Sequence, residues 1–214
     1  MKDLLVYVAD ADALAFMRSM LKKHQALGIR PISFDIERHP QRDAGMVHSG
    51  AELARMKKGR YGKALLMWDH HGSGRDHKQA PSQVAGDIQD KLDAYTWSGN
   101  SAVAVLVPEL EQWLWHCEIA VAAHCDVTVA QLGEWVAERA QKLGRSAETL
   151  KQEQPKELFE YVLREKLKRT ISPRDFEKIG ERAGIAGLLT CDSFRSIVEA
   201  LRLWFPPDKA VADK

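Results

Sequence analysis

The chain has 214 residues, 45% apolar, 29% charged and 7% aromatic, which is enough apolar material to bury a core and excludes wholesale disorder or collagen-like repetition. Lys and Arg number 31 against 30 Asp and Glu, a net charge of +1, so any affinity for nucleic acid must come from a local patch. Three cysteines, Cys117, Cys125 and Cys191, with no signal peptide ahead of them point to a reducing cytoplasm, and no apolar run reaches the roughly 18 to 20 residues that span a bilayer.

Leu4 to Val8 is a continuous apolar run, predicting a strand buried on both faces, and it stops at Asp10. From Asp12 to Leu27 apolar residues recur at helical spacing, and Gly28 stands where a C-terminal cap belongs. Pro31 opens a second strand, Ile32–Ile36, whose alternation places it nearer a sheet edge, followed by a polar loop from His39 to Gly50. A short helix over Ala51–Lys58 leads into a third strand, Ala64–Trp68, stopping at Asp69. Residues 82–97 carry a helical pattern, and Ala102–Val107 is the most strand-like run, ended by Pro108-Glu109. Strands alternating with helices predict an α/β fold with a mainly parallel, doubly wound four-stranded sheet.

Beyond Glu109 the signals are helical. Thr128 to Gln131 reads as a capping box opening a helix to about Leu143, closed by Gly144, and residues 145–154 read as a loop. Pro155 starts a helix with Leu158, Phe159, Val162, Leu163 and Leu167 on one face. Ser172-Pro173 opens another, and Asp192–Phe205 is the last, stopped by Pro206-Pro207. The division expected is an α/β core over 1–116 and a helical subdomain over 117–214.

Chemistry is expected at one rim. Asp10, Asp69 and the pair Glu109 and Glu111 each follow an apolar strand, and ligands of open parallel sheets bind outside the carboxyl ends of the strands. Hard carboxylate oxygens suit Mg2+ or Mn2+, and clustered like charges are costly without a cation. The alternative is that each acid caps a following helix, with Asp10 or Asp12 serving the first. The segment Trp68-Asp69-His70-His71-Gly72-Ser73-Gly74-Arg75 is dense in polar groups. It offers His71 or His70 as ligand or base, and His70, Ser73 and Arg75 as substrate contacts, against the alternative of a solvated turn. Its spacing matches neither phosphate-loop pattern nor a nucleophile elbow. His39 and Asp43, beyond the second strand, are further substrate-binding candidates, as is one of Trp113 and Trp115, the other being core. His116-Cys117 and His124-Cys125 are spaced too widely for an ordinary zinc site.

Tyr7-Val8-Ala9-Asp10, His39-Pro40 with Asp43-x-Gly45, Asp69 with Gly72-Ser73-Gly74, and above all Pro108-Glu109-Leu110-Glu111-x-Trp113-Leu114-Trp115 resemble the DUF4276 and Toprim-like group of bacterial proteins, and Cys191-Asp192-Ser193-Phe194-Arg195 is similar to that group's closing helix. The likeness covers nearly the whole chain and is nearest to a component of methylation-associated anti-phage defence systems. It implies a Toprim-like core in which a Glu after the first strand and an Asp-x-Asp after the third hold Mg2+ for phosphodiester chemistry. Here Ala9 stands in the place of that Glu, with Asp10 next to it, and Asp69-His70-His71 replaces the Asp-x-Asp.

Two functions follow as expectations. One is a metal-dependent nuclease or phosphotransfer enzyme, with Asp10, Asp69, Glu109 and Glu111 as ligands, His71 or His70 as ligand or base, and Lys57, Lys58, Arg60 and Arg75 contacting DNA or RNA. The other is a catalytically degenerate subunit that binds other defence proteins or a second copy of itself. A dinucleotide-binding enzyme is excluded, because Asp10-Ala11-Asp12-Ala13 replaces the glycine fingerprint.

Overall fold

The structure, a computed structural model, describes residues 1–207. Its centre is a four-stranded, all-parallel sheet in the order β2-β1-β3-β4, formed by β1 (Lys2–Val8), β2 (Phe34–Arg38), β3 (Tyr61–Asp69) and β4 (Ser101–Leu106). The continuous apolar runs of β1 and β3 are explained by their central positions, with Leu4 to Val8 and Ala64 to Trp68 all buried. β2, with its charged alternation, is an edge strand as its pattern predicts. β4 is also an edge, although its run is as apolar as a central strand.

The chain leaves β1 through α1 (Ala11–Leu21) and α2 (His24–Leu27), turns back at Gly28 in the left-handed conformation (φ 73°), and adds β2 on one side. It then crosses to the other side of β1 through α3 (Arg42–Met56), and from β3 to β4 through α4 (Pro81–Leu92). This reversal sends the helices to opposite faces. Leu5, Tyr7, Ala64, Leu66 and Trp68 pack with residues of α3 and α4, while Leu4, Val6, Val8, Leu65 and Met67 face α1 and the later helices.

Those later helices are α5 (Glu111–Trp115), α6 (Glu118–His124), α7 (Val129–Leu143), α8 (Ala147–Glu153), α9 (Pro155–Tyr161), α10 (Pro173–Arg182), α11 (Ile185–Leu188) and α12 (Asp192–Trp204). Thr128 caps α7 by accepting from Gln131 N–H, and Gly144 (φ 62°) closes it, as the sequence predicts. Ser172 and Asp175 exchange capping bonds at the start of α10, and Asp175 also accepts from His124 Nε2 at 2.7 Å. α10 lies close on α1: a Cβ on Gly180 would meet the Ser19 Cβ at 3.0 Å. One continuous apolar cluster therefore runs from the sheet through α1 into the helices of the second half.

Several boundaries differ from the sequence reading. The expected helix over 12–27 breaks after Leu21, and the second strand starts at Phe34 and not Ile32. Most of the polar stretch 39–50 belongs to α3, because Gly45, Met46, Val47 and Gly50 form its buried side. Residues 145–154 contain α8, capped by Ser146 and anchored by the fully buried Leu150. The helix expected through Trp97 ends as α4 at Leu92, and the chain kinks at Thr96 (φ 67°).

Candidate metal centre

The register fixes which side chains meet. Val8 is level with Met67 and Asp69 with Leu106, so Asp10, Asp69 and the Pro108–Glu111 turn share the carboxyl rim, at the point where strand order reverses between β1 and β3. Carboxylate oxygens of Asp69, Glu109 and Glu111 lie within 4.8 Å of one another. Oxygens on opposite sides of a bound Mg2+ are about 4.2 Å apart and those around Ca2+ up to about 5 Å, so the spread suits a single hard cation of Ca2+ size as it stands, and a smaller one once the carboxylates draw in by about half an ångström. Three carboxylates are an all-oxygen donor set, and the buried triad can hold a metal ion.

Backbone bonds place the carboxylates of Asp69 and Glu109, each leaving an oxygen over. Asp69 Oδ1 accepts from Leu110 N–H at 2.9 Å, tying the end of β3 to the turn after β4. Glu109 Oε1 accepts from Lys156 N–H at 3.2 Å, bringing in the start of α9. Glu111, in the first turn of α5, is 4% exposed, and no other described residue hydrogen-bonds or ion-pairs with its carboxylate. A buried carboxylate without a partner from another residue is costly unless it is protonated or neutralised by a cation.

The electrostatics follow this placement. Burial pushes Asp69 well above the ordinary carboxylate range, and the charges of Asp43, Glu111, Asp10 and Glu109 push it the same way. Burial, then Glu109, raise Glu111 to about 8, and burial raises Glu109. Asp12 is lifted to about 6 by burial and by Asp10. The compensating cation is Lys156: burial opposes its charge, but Glu111, Glu109 and Asp69 outweigh that and raise its pKa.

The other predicted site residues divide between rim and scaffold. Asp10 sits at the rim as the N-cap of α1, its Oδ1 accepting from Asp12 N–H (3.0 Å) and Ala13 N–H (2.9 Å), outside the close triad but near enough to act on its charges. Asp43 Oδ1 accepts from Asp69 N–H at 2.9 Å and so positions the end of β3. His71 is exposed and close enough to Glu109 to act on its charge; its N–H donates to Pro108 O. His70 is buried with Nε2 on Gln79 O, and Ser73, 3% exposed, accepts from Arg75 N–H; both shape the loop. Arg75 is exposed and reaches Gln79 beside a groove between α3 and α4. His39, 2% exposed, is enclosed: Nδ1 accepts from Gln41 N–H and Nε2 shares a bond with Ser49 Oγ. Trp113 is fully buried between Phe16 and Phe194, with Nε1 donating to Ser193, and Trp115 is buried with Nε1 on Pro155 O.

Lys57, Lys58 and Arg60 precede β3, at the rim opposite the acids, so they cannot share a substrate phosphate with them. The acidic triad is the one group of three potential metal ligands that come together among the described residues; His124 is held by Asp175 and His116 by Thr190. Lys156 had no sequence signal, since nothing in a helix start relates it to strands 50 or more residues away. Comparison of the chain with protein-family models, curated proteins and solved structures returned no match.

Proposed function

We propose that the carboxyl rim of the sheet is a divalent-cation site serving phosphodiester hydrolysis or phosphoryl transfer on a nucleic acid, in a Toprim-like protein of anti-phage defence. The observation that carries this is the meeting of Asp69, Glu109 and Glu111 within 4.8 Å at the strand-order reversal, with Glu111 buried and given no partner by any other described residue. The phosphodiester substrate and the defence role rest on the resemblance of Pro108-Glu109-Leu110-Glu111-x-Trp113 and of the residues after β1 and β3 to the Toprim-like group.

Asp69, Glu109 and Glu111 hold the cation, with Mg2+ or Mn2+ as the expected occupants. A bound divalent cation supplies neutralising charge to a phosphate and acidifies a water. Lys156, exposed beside the triad, adds positive charge for a non-bridging phosphate oxygen, and Asp43 keeps Asp69 in place through its backbone N–H. His71, exposed beside Glu109, takes a proton from the attacking water at a ring nitrogen.

Calorimetric titration of Mg2+ and Mn2+ into the wild type, Asp69→Ala and Glu111→Gln, followed by cleavage assays on DNA and RNA, tests the proposal. One binding event is expected in the wild type, weakened at least about a hundredfold in either variant, with cation-dependent cleavage lost alongside. Absence of both binding and cleavage in the wild type overturns it. One observation favours a second reading, a catalytically degenerate binding subunit: the basic residues Lys57, Lys58 and Arg60 lie at the far rim, which leaves little cationic surface beside the acids to hold a polyanion. That reading expects Asp69→Ala to leave defence intact.

A further inference from the structure

β4 is an outer strand, yet it carries none of the devices that keep sheet edges from pairing. It reads SAVAVL and continues into Val107 without a charge, whereas the opposite edge, β2, reads FDIER and is shielded by ion pairs from Lys2 to Asp35 and Lys57 to Glu37. The ladder shows which backbone groups of β4 face outward. Ala64 N–H donates to Asn100 O and His70 N–H to Leu106 O, and alternate residues of a parallel strand serve the same neighbour, so residues 100, 102, 104 and 106 bond to β3. The N–H and C=O groups of Ser101, Val103, Val105 and Val107 point away from the sheet, and none has a hydrogen-bond partner among the described residues. Val107 is 43% exposed. Beside the carboxyl half of this edge lies an open groove of about 780 Å³, whose lining includes Val105, Val107, Lys151 and the carboxylates of Glu118, Glu148 and Asp192, with Glu118 ion-paired to Lys151 and Asp192 to Arg195. At the amino end stands a cation, Lys63, bonded to Gly99 O and Asn100 Oδ1.

We infer that β4 pairs with β4 of a second copy of this chain, antiparallel about a twofold axis at Ala104, so that one sheet runs through both copies. In that register Ser101 faces Val107 of the other copy and Val103 faces Val105, and every outward N–H and C=O of the strand finds a partner. No charge on the strand meets its own image. The same axis lays the Lys63 end of each copy against that wall of the other, where three carboxylates outnumber the one lysine and Glu148 has no ion pair among the described residues, so a cation meets a net negative surface twice. This self-matching of register and charge favours a second copy over an unrelated strand.

Sedimentation velocity across the micromolar range, with Val105→Pro beside the wild type, tests this. The wild type is expected at twice the 24.1 kDa chain mass and the variant at the single mass. Proline is compatible with the fold because the Val105 N–H has no partner among the described residues. Ser101→Pro removes another outward N–H and serves should Val105→Pro fail to fold. Hydrogen exchange in the same samples is expected to find the Val103 and Val105 amides protected in the wild type and unprotected in the variant. A wild type that stays at the single mass overturns the inference and leaves the edge to a strand of another protein. A dimer that survives both prolines, or in which those amides exchange freely, overturns it equally by placing the contact elsewhere.

Discussion

Glu111 concentrates the tension in the site. The unfolded chain releases this proton near the ordinary value of 4.5, but the folded chain holds it to about 8, because burial and Glu109 both oppose ionisation. Below 4.5 the group is protonated in both states; between 4.5 and 8 the unfolded state alone has lost the proton, so stability falls as pH rises across that window. The slope is about 1.4 kcal/mol per pH unit for one such group. Glu111→Gln removes it. In chelator, thermal unfolding of the variant is therefore expected to be less dependent on pH between 5 and 8, and at pH 8 its Tm should exceed the wild type's, at about 2–4 °C per kcal/mol for a chain of this size. Added Mg2+ should close the gap by raising the wild type alone. A variant less stable than the wild type at pH 8 without metal would show that the carboxylate is held by protein bonds. The acids after β1, β3 and β4 were legible in the sequence because each follows an apolar strand. Their partners were not, since the backbone bonds from Leu110 to Asp69 and from Lys156 to Glu109 depend on turns and a helix start that residue pattern does not specify.

At the scale of elements, Asp10 shows how one side chain serves both helix and site. It caps α1 through two backbone N–H bonds and stands at the rim without joining the close triad. Asp10→Ala is expected to cost about 1 kcal/mol of stability, with Asp10→Asn recovering most of it, as urea unfolding would read. Both should leave cation affinity within about tenfold of the wild type, in contrast to Asp69→Ala. A collapse of affinity in Asp10→Asn would make Asp10 a direct ligand. The central strands, the parallel topology and the caps at Gly28, Thr128 and Gly144 could be read from the sequence because burial, period and cap chemistry agree there. The second half of α3 was read as the helix over Ala51–Lys58, but its first half was not: Gly45 and Gly50 argue against a helix, and Gly45 is glycine because of the packing. A Cβ on Gly45 would sit 2.2 Å from His39 Nδ1. β4 reads like a central strand because α4 and the later helices cover its faces, and sequence period reports faces, not edges.

For the whole molecule, the sheet and the later helices share one core. Trp113 packs against Phe16 of α1 and Phe194 of α12, and α10 lies along α1, so the face carrying Leu4, Val6 and Met67 is covered in part by residues beyond 116. A fragment of residues 1–116 is therefore expected to expose that face and to aggregate or bind a hydrophobic dye, whereas 1–207 unfolds in a single transition. A soluble, cooperatively melting 1–116 would establish the sheet as an independent domain. The same interdependence orders events in time. Ribosomes deliver Asp10, Asp69, Glu109 and Glu111 well before Lys156, whose amide holds Glu109 and whose ammonium faces the cluster. A nascent chain halted before α9 carries an acidic sheet rim with neither its anchoring amide nor its counter-charge, and the acidic cluster is completed only once α9 docks.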